Sequence, residues 1–220
     1  MLPIANSDEV FPVRRIYCVG RNYAEHVREM GRDPDRNPPF FFEKPRDAIV
    51  ANGSEISYAM GTTNLHHEIE LVVAIGKAGR NIRQEDALDH VLGYCVGNDL
   101  TRRDLQLAAR DKGLPWDTGK SFDQSAPCTE LLLASDIGHP TAGRIWLEID
   151  GELRQQGDIA QMIWKTDEIV SILSSLFLLK PGDIIMTGTP AGIGPVEPGQ
   201  TMKGSIDGFP VLTTTIRGRK

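Results

Sequence analysis

Glycine and proline break this chain into short pieces. Its 22 glycines and 14 prolines make up about a sixth of 220 residues and crowd into 31–45 and the last forty positions. Such residues interrupt helical and ladder hydrogen bonding, so many turns joined by short strands are expected. Helical spacing is confined to 24–30, 84–91, 101–110 and 166–177. Thr101, with Asp104 three residues on, reads as one N-cap; Thr166, ahead of Asp167 and Glu168, reads as another. Strand-like runs are more numerous: 15–19, 39–42, 48–50, 69–75, 94–97, 144–149, 183–187, 201–206 and 211–216. The run from Arg144 to Gly157 reads as a hairpin turning at Asp150-Gly151. Regular βα alternation is missing, which argues against a doubly wound parallel sheet. The predicted fold is α+β but mainly β, a mixed and mostly antiparallel roll or barrel with short helices.

The apolar fraction, 40%, suffices for a real core. The 24 Lys and Arg against 30 Asp and Glu leave a net charge of −6 without a basic block. That balance excludes nucleic acid and anionic membrane as expected partners. The greasiest stretch, 169–179, carries Ser171, Ser174 and Ser175 and is too short to span a bilayer. The first ten residues have neither a basic n-region nor an apolar h-region, so no signal peptide is expected. Cys18, Cys95 and Cys128 are widely spaced, which points away from a disulfide scaffold or a thiolate zinc site. The expected compartment is the reducing cytoplasm.

Four familiar motifs fail on inspection. Thr118-Gly119-Lys120-Ser121 ends like a P-loop, but the required earlier glycine is Leu114. Gly192-Ile193-Gly194 continues to Glu197 where a dinucleotide fingerprint needs its third glycine. His67-Glu68 begins like a zincin, but Leu71 stands where the second histidine belongs. A GxSxG serine elbow is absent.

The informative stretch is His66-His67-Glu68-Ile69-Glu70-Leu71-Val72-Val73-Ala74-Ile75. Glu68 and Glu70 leave the same face of a strand, with Cα atoms roughly 7 Å apart. Two like charges running into an apolar strand need a counter-charge, and a divalent cation supplies one. All-oxygen ligands suit Mg²⁺, Mn²⁺ or Ca²⁺ rather than zinc. The same pattern also fits the solvated face of an edge strand. Asp99 ends the apolar run Gly93 to Asn98 and reads either as a third ligand or as a first-turn charge of the following helix.

His26 and Glu29 sit at i and i+3 on a short helix closed by Gly31. A carboxylate beside an imidazole fixes its tautomer and raises its basicity, as a general base requires. Spacing alone favours an exposed amphipathic helix with an incidental pair. The proline-rich 32–39 segment gives this helix the look of a lid. Lys120, flanked by glycine and apolar residues, reads as a cation facing the acids or as a surface lysine. Thr187 to Gly194 follows a strand and reads either as a loop whose backbone N–H groups receive a carboxylate or as a tight turn.

Taken together, these residues resemble the fumarylacetoacetate hydrolase superfamily from Ile16 to about Ile216. The chain is most similar to the small, single-domain acylpyruvase and fumarylpyruvate hydrolase branch. The motifs that carry the resemblance are Cys18-Val19-Gly20-Arg21-Asn22-Tyr23 with His26 and Glu29, and Phe41-Phe42-Glu43-Lys44-Pro45. They continue with His67 to Leu71, Gly97-Asn98-Asp99-Leu100-Thr101, Gly119-Lys120-Ser121, and Gly182-Asp183 followed by Thr187 to Pro190. The resemblance implies a mixed β-roll homodimer binding Mg²⁺ or Mn²⁺ on Glu68, Glu70 and Asp99, with Ca²⁺ a possible occupant in crystals. It implies an N-terminal arm over 1–14 and one catalytic domain over 15–220, its lid at about 22–38. The implied catalytic residues are His26, Glu29 and Lys120; the implied substrate-binding residues are Arg21, Lys44, Arg103, Gln106 and Thr189.

The implied reaction is metal-dependent hydrolysis of a carbon–carbon bond in a 2,4-dioxo acid (an acylpyruvate), first of all fumarylpyruvate to fumarate and pyruvate. The carbanion expelled is tolerable only as a stabilised enolate, which a Lewis-acidic cation favours. Lys120 would add an oxyanion-type field, and Glu29 would orient His26 to deprotonate water. The distal carboxylate should meet a cation, for which Arg21, Arg32 and Arg103 are candidates. Oxaloacetate decarboxylation, dienoate isomerisation and non-catalytic ligand binding are the alternatives. The branch also implies a place in aromatic-compound catabolism.

Overall fold

A computed structural model describes residues 1–31 and 36–218. The strand predicted over 69–75 forms at those bounds, and all seven of its residues are buried. Ile69, Leu71, Val73 and Ile75 enter one apolar cluster; Val72 and Ala74 enter a second with Cys18, Cys95 and Met186. A strand covered on both faces needs no polar alternation, which is why its sequence reads as continuously apolar.

Its sheet runs in the order Phe40–Lys44, Arg15–Gly20, Asp183–Met186, Ile69–Ile75, Val91–Asn98, Ala126–Cys128, Ile49–Ala51. Arg15–Gly20 lies parallel to Asp183–Met186, and Ala126–Cys128 parallel to Ile49–Ala51. The other neighbours in this order are antiparallel. A second, five-stranded sheet runs Glu152–Asp158, Arg144–Ile149, Thr201–Ile206, Leu212–Ile216, Glu55–Ile56. Its Ile145, Leu147, Ile149, Met202 and Ile206 share the first cluster with Ile69 and Leu71. Asp150 and Gly151 turn the predicted hairpin with φ of 51° and 86°, the pair of left-handed residues that a type I′ turn demands. The result is the predicted mixed β-roll with short helices.

Helix boundaries differ from the sequence reading in two places. Thr101 is not an N-cap. It belongs to the two-residue strand Thr101–Arg102 paired with Leu65–His67, and the helix begins later, as Arg103–Asp111. The Thr101 hydroxyl is already committed, donating to Asp99 O at 2.9 Å and accepting from Lys120 Nζ at 2.7 Å. Thr166 likewise opens the helix Thr166–Leu176 from inside, with Lys165 as N-cap and Glu168 accepting its backbone N–H. The predicted 84–91 helix is the 3₁₀ helix Gln84–His90. The strands Leu65–His67 and Ala126–Cys128 carry too few residues for a pattern and escaped prediction. All three cysteines are free and buried. Among the described residues, no helix is long and apolar enough to cross a membrane.

Candidate metal and active site

The second apolar face of Ile69–Ile75 ends where alternation reaches Glu70 and then Glu68. Val91–Asn98 runs antiparallel beside it, with Ile69 opposite Asn98. The pairing continues one step beyond the strand, since Asp99 N donates to Glu68 O at 2.8 Å. Three acids are thereby gathered from two adjacent strand ends. One carboxylate oxygen from each of Glu68, Glu70 and Asp99 lies within 4.8 Å of the other two, and all three residues are buried. Glu68 and Glu70 thus lie on no solvated edge: their side chains face inward.

Cations converge on the acids. Lys120 Nζ donates to Glu68 Oε2 at 2.8 Å, Asp99 Oδ2 at 2.6 Å and Thr101 Oγ1 at 2.7 Å. Those three acceptors use all three ammonium protons. Arg103 donates to the other Glu68 oxygen and to Gln106. Lys120 reaches this spot because its helix, Asp117–Lys120, packs tightly on the Arg103–Asp111 helix. A Cβ on Gly119 would meet Gln106 N at 2.8 Å.

The electrostatics separate the two glutamates. Burial opposes ionisation of Glu68, but Lys120 and Arg103 outweigh it and hold the carboxyl below its usual range. Among the described residues Glu70 makes no ion pair, and the nearby Lys120 offsets its burial only in part. Burial, with Asp99 and Glu68 beside it, pushes its carboxyl well above the usual range, although Gly188 N donates to it at 2.7 Å. Asp99 Oδ1 is buried and accepts no hydrogen bond among the described residues. The Lys44 ammonium lies 2.8 Å from it, off the hydrogen-bonding direction, and donates instead to Leu100 O and Lys120 O. A buried carboxylate oxygen that accepts no hydrogen bond, a glutamate repelled by its neighbours and an all-oxygen donor set fit a hard divalent cation.

One cleft is lined by His26, Glu68, Glu70, Asp99, Lys120, Arg21, Arg103, Gln106 and Thr189. His26 comes from the helix Ala24–Glu29, with Nδ1 3.2 Å from Glu29 Oε2. Glu29 stands behind His26 and also accepts from Gly192 N at 3.1 Å. Burial disfavours its charge, but the bonds from His26 and Gly192 outweigh this and lower its pKa. Arg21 turns the chain at the cleft mouth with a left-handed φ of 62°. The structure does not bring Lys44 to the cleft wall: its ammonium sits behind Asp99. Arg32 falls outside the described residues, as does part of the 22–38 segment. Arg103 is committed to Glu68 and Gln106.

Sequence reasoning missed Arg110, Trp116 and Phe42 on the cleft wall. Arg110 could have been found, since Arg103, Gln106 and Arg110 follow the i, i+3, i+7 spacing of one helix face. Trp116 offered no signal; its ring packs against Phe40 and Phe42 with centroids 4.8 and 5.8 Å apart.

A mixed β-roll whose cleft holds three buried carboxylates beside a histidine–glutamate pair is the scaffold of a metal-binding enzyme. Residues 15–217 match the model of the fumarylacetoacetate (FAA) hydrolase C-terminal family, and the chain belongs to that family. It is similar to a fumarylpyruvate hydrolase from Pseudomonas aeruginosa solved with Mn²⁺ and pyruvate. That likeness has 55% identity and a TM-score of 0.96, over 99% of this chain and 95% of the other. A putative fumarylpyruvate hydrolase from Burkholderia cenocepacia follows at 51% identity and a TM-score of 0.93, over 100% and 95%. Among curated relatives, the mitochondrial oxaloacetate tautomerase FAHD1 of Mus musculus is 43% identical over 195 residues, 89% of this chain and 88% of its own. The mitochondrial oxaloacetate decarboxylase of Dictyostelium discoideum is 39% identical over 197 residues, covering 89% and 90%.

Proposed function

We propose that the chain hydrolyses a carbon–carbon bond in a 2,4-dioxo acid, converting fumarylpyruvate and water to fumarate and pyruvate. The observation that carries this reading is His26, backed by Glu29, sharing a cleft with the Glu68, Glu70 and Asp99 carboxylates. The Pseudomonas aeruginosa likeness, a fumarylpyruvate hydrolase with Mn²⁺ and pyruvate, supports it.

Glu68, Glu70 and Asp99 are the residues that would hold Mg²⁺ or Mn²⁺. When bound, the cation supplies Lewis-acid stabilisation of the enolate that leaves. Glu29 accepts the Nδ1 proton of His26, so the Nε2 lone pair is the base. His26 takes a proton from water, and the hydroxide adds to the distal carbonyl carbon. The bond to the pyruvyl methylene breaks with its electron pair on that carbon, and His26 returns the proton there. Lys120 fixes the spacing and charge of Glu68 and Asp99, and Thr189, Gln106 and Arg103 form the walls. Arg21 and Arg110 are the cleft arginines suited to the distal carboxylate.

In this reading 15–220 is one catalytic domain with a lid over 22–38 and an arm over 1–14. The protein is a cytoplasmic homodimer serving aromatic-compound catabolism. A second reading is favoured by the oxaloacetate tautomerase and decarboxylase relatives: enolate chemistry on oxaloacetate, which needs no activated water. Incubation with fumarylpyruvate, acetylpyruvate and oxaloacetate under Mn²⁺ decides between them. Fastest consumption of fumarylpyruvate supports hydrolysis; oxaloacetate consumed fastest, with the acylpyruvates untouched, overturns it.

A further inference from the structure

Gln155 is completely buried, and it is the one buried residue of its strand, Glu152–Asp158. A buried amide is costly unless all its hydrogen-bonding capacity is used. Here it is used in full. Oε1 accepts from His67 Nδ1 at 2.8 Å and from Ile69 N at 3.1 Å. Nε2 donates to Thr189 Oγ1 at 2.7 Å and to Pro190 O at 2.9 Å. The orientation is not ambiguous, because Ile69 N–H can only donate and Pro190 O can only accept. His67 must therefore carry its proton on Nδ1.

The place of this amide in the sheet explains why it is there. The pairing of Asp183–Met186 with Ile69–Ile75 ends one step past Met186, where Thr187 N donates to Leu71 O at 3.1 Å. Beyond that point the chain leaves the sheet to form the glycine-rich loop at the cleft. Ile69, between the two glutamates, would lose its ladder partner on that side. Gln155 takes its N–H, and Thr189 Oγ1 donates to its C=O at 2.8 Å. A side-chain amide thus stands in for a missing peptide group where the sheet splits.

The consequence reaches the cleft wall. The single proton of the Thr189 hydroxyl goes to Ile69 O, and one lone pair receives Gln155 Nε2. What remains is one lone pair. We infer that Gln155 is a positioning residue: it fixes the Thr189 hydroxyl so that this wall offers a ligand an acceptor and no proton. The wall therefore suits a substrate atom that carries hydrogen, such as the enol hydroxyl of a 2,4-dioxo acid, over a carboxylate oxygen. This rests on the reading of the cleft as a metal-dependent 2-oxo acid site.

The test compares oxalate, which has no donor, with oxamate, which has an N–H donor, binding to the Mn²⁺-loaded chain by calorimetry. The readout is the ratio of the oxamate to the oxalate dissociation constant. Thr189→Val should raise the ratio at least about fivefold, the worth of one hydrogen bond, and Thr189→Ser should leave it as in the wild type. Gln155→Met removes the donor that pins the hydroxyl, so its proton can turn from Ile69 O to the charged oxalate, and should raise the ratio. In a Thr189→Val background it should change nothing further, an outcome that general loosening of the fold would not produce. A fall or no change in the ratio in Thr189→Val overturns the inference, and this arm stands even if Gln155→Met does not fold. An equal shift by Gln155→Met in both backgrounds also overturns it. If the Mn²⁺-loaded wild type binds neither ligand, the metal-site reading fails and the inference falls with it.

Discussion

The buried ammonium of Lys120 lies 2.6 Å from Asp99 Oδ2, and the same ammonium reaches Glu68 Oε2 at 2.8 Å. One lysine thus spans two members of the acid cluster. Burial disfavours its charge, but Asp99 and Glu68 outweigh this and raise its pKa. Removing one member of a buried ion pair leaves an uncompensated charge, at a cost of about 3–5 kcal/mol. Lys120→Met should therefore melt well below the wild type without metal, and Mn²⁺ should raise its melting temperature more than it raises the wild type's. Equal metal-induced shifts in the two proteins would contradict this role.

Metal affinity should depend on pH through Glu70. Its folded pKa is raised by burial and by Asp99 and Glu68, so without metal the folded state holds a proton that the unfolded state has lost above about pH 4.3. Stability of the metal-free chain therefore falls as pH rises from that value toward the raised folded pKa. Glu68 is shifted the other way, and its stabilising contribution is lost only below the ordinary carboxylate range. Cation binding requires Glu70 deprotonated, so affinity should strengthen with rising pH and binding should release a proton. Calorimetry in buffers of different ionisation enthalpy reads that proton directly; heats independent of the buffer would argue against it.

His26→Ala should lower kcat on fumarylpyruvate by roughly 10²–10⁴-fold, the usual worth of a positioned general base. Its Mn²⁺ affinity should stay near wild type, because His26 is not one of the clustered acids. Glu29→Gln keeps the size of the side chain but loses the charge that favours imidazolium, so a smaller loss of kcat is expected. Near wild-type turnover by His26→Ala would reassign the base.

Gly188 joins the loop to the acids: its N–H donates to Glu70 Oε2, and its φ is 100°. A Cβ there would lie 2.7 Å from Asn22 Cβ. Asn22 is itself buried and bonds Thr187 O, Trp164 O and Trp164 N. Gly188→Ala should cost about 2 kcal/mol or more of stability from the left-handed backbone alone. It should also weaken Mn²⁺ binding, read by denaturation and metal titration on the same sample. Unchanged affinity would separate the loop from the metal site.

Much of this was legible before the fold was known, for identifiable reasons. Ile69–Ile75 and Arg144–Ile149 were found at their full bounds because a long apolar run in one and an Asp-Gly turn after the other leave little choice of register. The two glutamates share a face because strand geometry has period two. Pairing across strands is different, since local spacing does not say that Asp99 lies beside Glu68. Thr101 looked like a helix cap because nothing nearby shows that Lys120, nineteen residues on, takes its hydroxyl. Lys44 carried the right motif, yet its depth behind Asp99 depends on the packing of Phe40–Lys44 at the sheet edge. Gln155 was hidden for the same reason: it reads as one more polar residue in a hairpin, and its burial exists only where two sheets meet.

Whether Glu68, Glu70 and Asp99 share a doubly charged ion is tested most directly by anomalous diffraction from crystals grown in millimolar Mn²⁺. The account predicts a single strong peak enclosed by Glu68, Glu70 and Asp99, lost in Glu70→Gln crystals. An absent peak in the wild type, or one placed elsewhere with the three side chains unchanged around Lys120, would contradict it.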